Sequence, residues 1–197
     1  MIKPDADSAP KLRQLGETFS RRRLGKRLLQ SELVQRTGSA LIGWTLGSIW
    51  RSNRDNGTST DWETMLDGEW PAIFALWHGQ HLLVPYASPS DRNVVMIADI
   101  SKGQPRQAGE GIVTLAKISG RPIVPVALAT SRRRVLEKTW DKTTINLPFG
   151  TRSVRLAPPI YVTPKADEQE MADARLKVTA ELNRVTEEAM RAVEAGT

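Results

Sequence analysis

The sequence has no cysteine and only two histidines, His78 and His81, among its 197 residues. The absence of cysteine excludes disulfides, thiolate nucleophiles and cysteine-ligated zinc. Two histidines without placed carboxylates make a poor metal site, so we expect neither a metal nor a bound cofactor. The first residues, Met1–Asp7, carry charge and proline where a secretory signal would begin its apolar segment. This pattern predicts a cytoplasmic location.

Long apolar runs are also missing from the sequence. The longest, Ala40–Trp50, falls well short of the roughly 20 residues that are needed to span a bilayer. A content of 40% hydrophobic and 25% charged residues is typical of a globular domain, and the length suffices for one sizeable core. The net charge of +6 indicates attraction to a polyanion, such as an anionic lipid, a phosphorylated substrate or nucleic acid.

The N-terminal part, residues 1–58, predicts a helical segment that precedes an α/β domain over residues 59–197. The stretch Arg21–Arg27 carries five basic residues, and leucines lie at helical spacing within and after it, at positions 24, 28, 29 and 33. The apolar stretch Ala40–Trp50 follows. A cationic helix before an apolar, tryptophan-bearing one is typical of an anchor on a membrane surface. The alternative is a pair of helices that pack on the domain and leave the arginines solvated.

Continuous apolar runs in the rest of the chain predict strands that are covered by helices on both faces. Such a pattern indicates an α/β fold with a mixed, largely parallel sheet. Proline at position 125 predicts a bulge or irregular spot in its strand. The predicted strands are Ala72–Trp77, Asn93–Ile97, Pro122–Ala129 and, at the sheet edge, Ser153–Val162; the predicted helices begin near Gly79 and span Gly109–Gly120 and Asp167–Ala195, the last with a capping box.

Two blocks of the sequence resemble, in the right order, signatures of the lysophospholipid acyltransferase superfamily, specifically a bacterial branch described as a domain of unknown function. The first block is Pro71–Gly79, which ends in Trp-His-Gly, and the second is Ala98–Gly109, followed by Gly111–Val126. The resemblance implies αβα layers and peripheral attachment to the inner face of the membrane. It also implies transfer of a fatty acyl group from acyl-CoA or acyl carrier protein to a lysophospholipid or related lipid hydroxyl.

Acyl transfer from a thioester to a hydroxyl needs a base for the hydroxyl proton and donors for the oxyanion. His78 follows a predicted strand, so its ring should lie at the carboxyl edge of the sheet, where α/β proteins usually bind ligands. Backbone N–H groups of the helix that is predicted to begin near Gly79 would face the oxyanion. His78 is therefore the candidate base, and Gly79 a candidate substrate-binding residue.

In the superfamily an aspartate five positions after the histidine orients the imidazole, and here that position is Leu83. A carboxylate from elsewhere would have to take this role, and Asp99 is the nearest candidate in the sequence. His81 lies one helical turn after His78, so it is a candidate for the same pocket. The simpler interpretation of His81 is a partly buried polar residue near the start of a helix.

The second block matches the region where the superfamily binds the phosphate of the acyl acceptor. Lys102 and Arg106 would supply cationic donors, and Gly103 would allow close approach of the backbone. Arg132, within the arginine cluster after the Pro122–Ala129 strand, would contact a phosphate or lipid head group. The alternative for the second block is an ordinary basic turn, and the alternative for the arginine cluster is a set of solvated arginines.

The strand that ends at Ile97 runs directly into the Asp99 loop. Relatives in the superfamily have a further helix and an Arg-Gly-Ser-like acceptor motif between these two elements, so either this chain has lost part of the acceptor site or an internal segment is missing from the sequence. A non-catalytic lipid-binding relative of the same fold is therefore a rival interpretation. A nucleic-acid-binding protein is the second rival, but the sequence has no zinc-finger or RNA-recognition signature, so we expect no nucleic-acid partner. The sequence does not specify an oligomeric state.

Overall fold

A computed structural model describes residues 32–57, 59–66, 68, 71–87, 94–100 and 103–195. The chain forms two units, Met1–Thr45 and Leu46–Thr197, and the boundary between them falls within helix α1 (Glu32–Ser52). The basic stretch Arg21–Arg27 and the candidate Lys102 lie outside the described residues. The predicted boundary at residue 58 stays a prediction.

The first unit contributes only residues 32–45 of α1 to the described chain. Leu41, Ile42 and Trp44 are all exposed in this part of the helix. None of the described helices combines the length and the apolar character that crossing a membrane requires. The predicted membrane-surface anchor stays a prediction.

The second unit contains a five-stranded and a two-stranded sheet. The order of the large sheet is β1, β7, β4, β2, β3. Its neighbours are parallel except β4 and β7, which are antiparallel, so the predicted mixed, largely parallel α/β sheet is confirmed. The small sheet pairs β5 and β6 antiparallel. The strands are β1 (Arg54–Asp55), β2 (Ile73–Leu76), β3 (Val94–Ile97), β4 (Ile123–Thr130), β5 (Arg133–Val135), β6 (Thr144–Asn146) and β7 (Thr151–Leu156).

Helices cover both faces of the large sheet. On one face, Ile73 and Ala75 of β2 pack in a cluster with residues of α4 (Glu110–Ser119) and α5 (Glu168–Glu194). Phe74 and Leu76 point to the other face, where they pack against the end of α1 and the short helices α2 (Trp62–Met65) and α3 (Val84–Ala87). Successive side chains of a strand alternate between faces. Both faces are buried here, and that is why β2 is apolar throughout.

The expectation that the last strand lies at the sheet edge is wrong, because β7 lies between β4 and β1. Backbone N–H groups of Arg54 and Asn56 donate to the carbonyls of Gly150 and Arg152, which adds β1 outside β7. Both residues of β1 are exposed. An exposed two-residue strand has no apolar pattern, so the sequence gives no signal for it.

Proline at position 125 does not interrupt β4, which is continuous from Ile123 to Thr130. Pro125 is the last residue in register with β2, and its carbonyl accepts from Ala157 on the β7 side. The first pair in register with β7 is Val126 with Leu156. The missing N–H therefore lies just beyond the β4–β7 ladder, and the predicted bulge is not needed.

The predicted ends of two helices are confirmed. Asp167 accepts from the backbone N–H of Glu170 at 2.8 Å, and Glu170 accepts from that of Asp167 at 2.9 Å, so α5 begins with a capping box. Gly120 forms the C-cap of α4, with a φ of 65° in the left-handed region that favours glycine.

Candidate active site

His78 lies at the carboxyl edge of the large sheet. Strand β2 ends at Leu76, and after Trp77 the chain forms a single 3₁₀ turn, His78–Gln80. Strands β3 and β4 are both parallel to β2, so the carboxyl ends of three strands meet at this edge. His78 is half-buried. The edge matches the position where parallel sheets usually bind ligands.

The helix that we predicted to begin near Gly79 is instead this 3₁₀ turn, and α3 begins only at Val84. Most backbone N–H groups of the 3₁₀ turn already donate hydrogen bonds. The His78 N–H donates to Oδ1 of Asp99 at 2.9 Å, the Gln80 N–H to the Trp77 carbonyl at 3.0 Å and the His81 N–H to the His78 carbonyl at 3.4 Å. These three groups already have acceptors, so the turn does not present the predicted set of free oxyanion donors.

Asp99 reaches His78, but through the backbone and not through the imidazole. Leu76 is in register with Ile97, so two residues further on His78 lies beside Asp99. Asp99 is buried and forms an antiparallel bridge with Ala108. No carboxylate of the described residues hydrogen-bonds the His78 ring. Asp99 therefore fixes the turn that carries His78 and does not orient its ring.

The two other residues close to His78 in the sequence have different surroundings. Nδ1 of His81 donates to the His78 carbonyl, and the centroids of the two rings are 5.2 Å apart. Leu83 is fully buried in the same apolar cluster as Leu76 and Val84. A side chain at position 83 points into this core, so the superfamily's aspartate position cannot serve the imidazole here.

Trp140 is a neighbour of His78 that the sequence did not reveal. It lies in the connection between β5 and β6, and its ring meets that of His78 edge to face, with centroids 5.3 Å apart and planes at 87°. A Cβ at Gly79 would overlap the carbonyl oxygen of Asp141 and lie 3.2 Å from that of Lys142. The glycine after His78 therefore allows this connection to approach the turn.

The carboxylate of Asp141 fixes the conformation of the same connection. Its oxygens accept from the Thr143 hydroxyl at 2.9 and 2.7 Å and from the Thr143 N–H at 3.2 Å. Burial acts to raise the pKa of Asp141, but hydrogen bonds from Thr143 and Thr139 outweigh it, so the pKa is below its ordinary value. A charged Asp141 thus stabilises the loop that carries Trp140.

The candidate acceptor loop leaves the sheet at the same edge. The chain passes from β3 through Ala98 to Asp99 without a further element, and the Asp99–Ala108 bridge closes the loop. The Gly103 N–H donates to the Ile100 carbonyl at 2.9 Å. Arg106 is exposed, with a left-handed φ of 59°. The structure therefore joins the base of this loop to His78, while Gly103 and Arg106 lie further along it.

The arginine cluster after β4 forms the start of the small sheet. Arg132 is exposed and donates to the Pro148 carbonyl at 3.0 Å, whereas Arg133 forms an ion pair with Glu194 at 2.5 Å. The predicted contact of Arg132 with a phosphate stays a prediction. Within the described ranges, no group of three or more histidine, aspartate or glutamate side chains is placed to hold a metal ion.

Comparisons with known proteins give one partial match. The sequence is 32% identical over 68 residues to an uncharacterized protein of Rickettsia prowazekii (strain Madrid E). The aligned part is 34% of this chain and 31% of that protein, so the match spans about a third of the relative. No family model matches the sequence, and no solved structure matches it.

Proposed function

We propose that the protein is an acyltransferase that moves a fatty acyl group from acyl-CoA or acyl carrier protein to a lipid hydroxyl, with His78 as the base. The observation that carries the proposal is the half-buried imidazole at the carboxyl edge of three parallel strands. The two sequence blocks that resemble the lysophospholipid acyltransferases support it. The proposal includes the αβα layering of that superfamily and work at the inner face of a bacterial membrane.

In the proposed reaction, His78 accepts one proton and later returns it. Its free ring nitrogen takes the proton of the acceptor hydroxyl while the oxygen attacks the thioester carbonyl. The tetrahedral intermediate then expels the thiolate of the donor, which takes the proton back from the imidazolium. An acyl ester and a free thiol result, so atoms and charges balance. A positioned base of this kind contributes about 10²–10⁴-fold to the rate.

Orientation of the ring would rest on packing and not on a carboxylate. The rings of Trp140 and His81 each meet the His78 ring at a steep angle, with centroids 5.3 and 5.2 Å away. Asp99 fixes the backbone beneath the ring through the His78 N–H. We therefore assign Asp99 and Trp140 as positioning residues, and Lys102 and Arg106 as the cations for the acceptor phosphate.

A specific observation favours a second candidate, a lipid-binding relative without catalysis. Leu83 is buried in the core, and no described carboxylate bonds the imidazole. An unoriented histidine is a weak base. This candidate keeps the same fold and lipid affinity, and differs only in having no turnover.

A transfer assay on liposomes distinguishes the two candidates. A labelled acyl thioester is offered with a panel of lysolipids, and the product is measured for the wild type, His78→Ala and Ile118→Ser. Ile118 is exposed on α4, so its substitution is a control for surface changes. We expect His78→Ala to lower turnover at least about 10²-fold with unchanged vesicle binding. Lipid binding by a wild type that transfers no acyl group to any lysolipid would contradict the enzyme and support the second candidate.

A further inference from the structure

An apolar turn after β6 projects into solvent. We define the Phe149 turn as residues 147–150, Leu-Pro-Phe-Gly. The Phe149 side chain is 77% exposed, and Leu147 and the preceding Ile145 are each 37% exposed. Phe149 also has a φ of 63°, in the left-handed region that non-glycine residues rarely occupy. A strained residue that presents an aromatic ring to water indicates an interaction.

Hydrogen bonds on both sides impose this conformation. The side-chain amide of Asn53 donates to the Leu147 carbonyl at 2.9 Å, and the Phe149 N–H donates to Oγ of Ser52 at 3.3 Å. Arg132 donates to the Pro148 carbonyl, and the Arg54 N–H to the Gly150 carbonyl at 3.0 Å. The backbone of the turn is therefore fixed from outside, and the exposed ring is presented on a rigid support.

Two exposed arginines, Arg132 and Arg134, lie near the turn. Arg134 is exposed and lies opposite Ile145 in the β5–β6 register. Arg132 is exposed as well, and its guanidinium uses one nitrogen for Pro148. In the described chain neither Arg134 nor the remainder of the Arg132 guanidinium has an acidic partner.

We propose that the Phe149 turn inserts into the surface of an anionic lipid bilayer, with Phe149 and Leu147 at the level of the acyl chains and Arg132 and Arg134 on lipid phosphates. An aromatic tip with flanking arginines suits that interface, because the ring leaves water while the cations stay among the head groups. A protein partner is a poorer fit, since a stable interface buries about 800 Å² on each side. Three apolar side chains on one turn fall short of that.

The small sheet connects this surface to the candidate active site. One end of the β5–β6 pair leads into the connection whose Trp140 contacts His78. The other end leads to Arg132 and the Phe149 turn. Each strand has three residues, so roughly 10 Å separates the two ends. The small sheet therefore links the turn to the connection that packs on His78, and the docking itself does not depend on catalysis.

The absence of cysteine allows a position-specific test. Phe149→Cys and Ile118→Cys variants of the full chain are labelled with an environment-sensitive fluorophore. Each is mixed with vesicles of phosphatidylcholine alone or with added phosphatidylglycerol. We expect a blue shift of the label at position 149 with the anionic vesicles and no shift at position 118, which is 80% exposed on α4. This readout reports the turn even if another segment also binds the vesicles.

Binding of the unlabelled protein gives a second measurement. Phe149→Gly removes the ring and suits a positive φ, so the variant should fold and bind anionic vesicles roughly tenfold more weakly. Arg134→Gln should weaken binding about fivefold to anionic vesicles only. No shift at position 149, equal shifts at both positions, or a shift on concentration without vesicles would overturn the proposal. The last outcome would indicate self-association. A shift that persists in His78→Ala separates docking from the proposed catalysis.

Discussion

Substitution of Gly79 by alanine tests whether the β5–β6 connection packs directly on the His78 turn. The added Cβ would overlap the Asp141 carbonyl oxygen and lie 3.2 Å from that of Lys142. Both atoms belong to the backbone, so no side-chain rotation relieves the overlap. Such overpacking costs about 1–3 kcal/mol, and the lower entropy of the unfolded alanine chain offsets about 0.4–1 kcal/mol. We expect Gly79→Ala to lower the free energy of unfolding by about 1–2 kcal/mol in urea denaturation.

Gly111→Ala is the matched control. The nearest atom to a Cβ at position 111 is Cε of Met96 at 3.6 Å, which is an ordinary contact. Gly111 lies in the first turn of α4, so alanine there should leave stability unchanged or raise it by up to about 1 kcal/mol. If Gly79→Ala proved as stable as Gly111→Ala, the connection would not approach the turn in solution. The assignment of Trp140 as a positioning residue would then fail.

Two carboxylates give further predictions. Asp99→Ala leaves the buried N–H of His78 without its acceptor and should lower the free energy of unfolding in urea by about 1–3 kcal/mol. Asp99→Asn keeps a side-chain oxygen and should lower it by less than half as much. Equal losses of stability in the two variants would show that the charge of Asp99 matters and not its role as acceptor. The pKa of Asp141 lies below its ordinary value of 3.8 when the protein is folded. The charged carboxylate therefore stabilises the fold fully at pH values above 3.8. This stabilisation is lost as the pH falls through the lower pKa of the folded state. Thr143→Val removes a hydroxyl that lowers this pKa, so the folded pKa moves closer to the unfolded one and less stability should be lost on acidification, as measured by urea midpoints across a pH series. An unchanged pH profile in this variant would contradict the role of that hydroxyl.

Local patterns predicted the elements of the core well. The apolar runs around Phe74 and Val124 predicted strands with both faces covered, because burial of alternate side chains on two sides requires apolar residues throughout. The capping box of Asp167 and Glu170 predicted the start of α5 within one residue. These signals depend on residues that are neighbours along the chain, so they can be seen without the fold.

The candidate site could be predicted only in part. His78 was identified from the resemblance of Pro71–Gly79 to the superfamily's signature and from its position after an apolar strand, and the parallel register then placed it beside Asp99. The contact with Trp140 could not be foreseen, since it joins two segments that are far apart in the sequence. The nearest signal in the sequence was Gly79. A glycine is required there because the Asp141 backbone lies against it, and that contact is visible only in the fold.

The amino-acid sequence by itself determined the buried strands β2 and β4, the helices α4 and α5 with their terminal caps, and the excess of positive charge. Periodicity, capping and net charge are properties of short stretches or of composition. Tertiary structure alone decided that β7 lies inside the sheet, that Asp99 bonds the backbone of His78 instead of its ring, and that Phe149 faces water. Each of these depends on backbone groups from distant segments competing for the same hydrogen bonds and the same space, and that competition is settled only when the chain is packed.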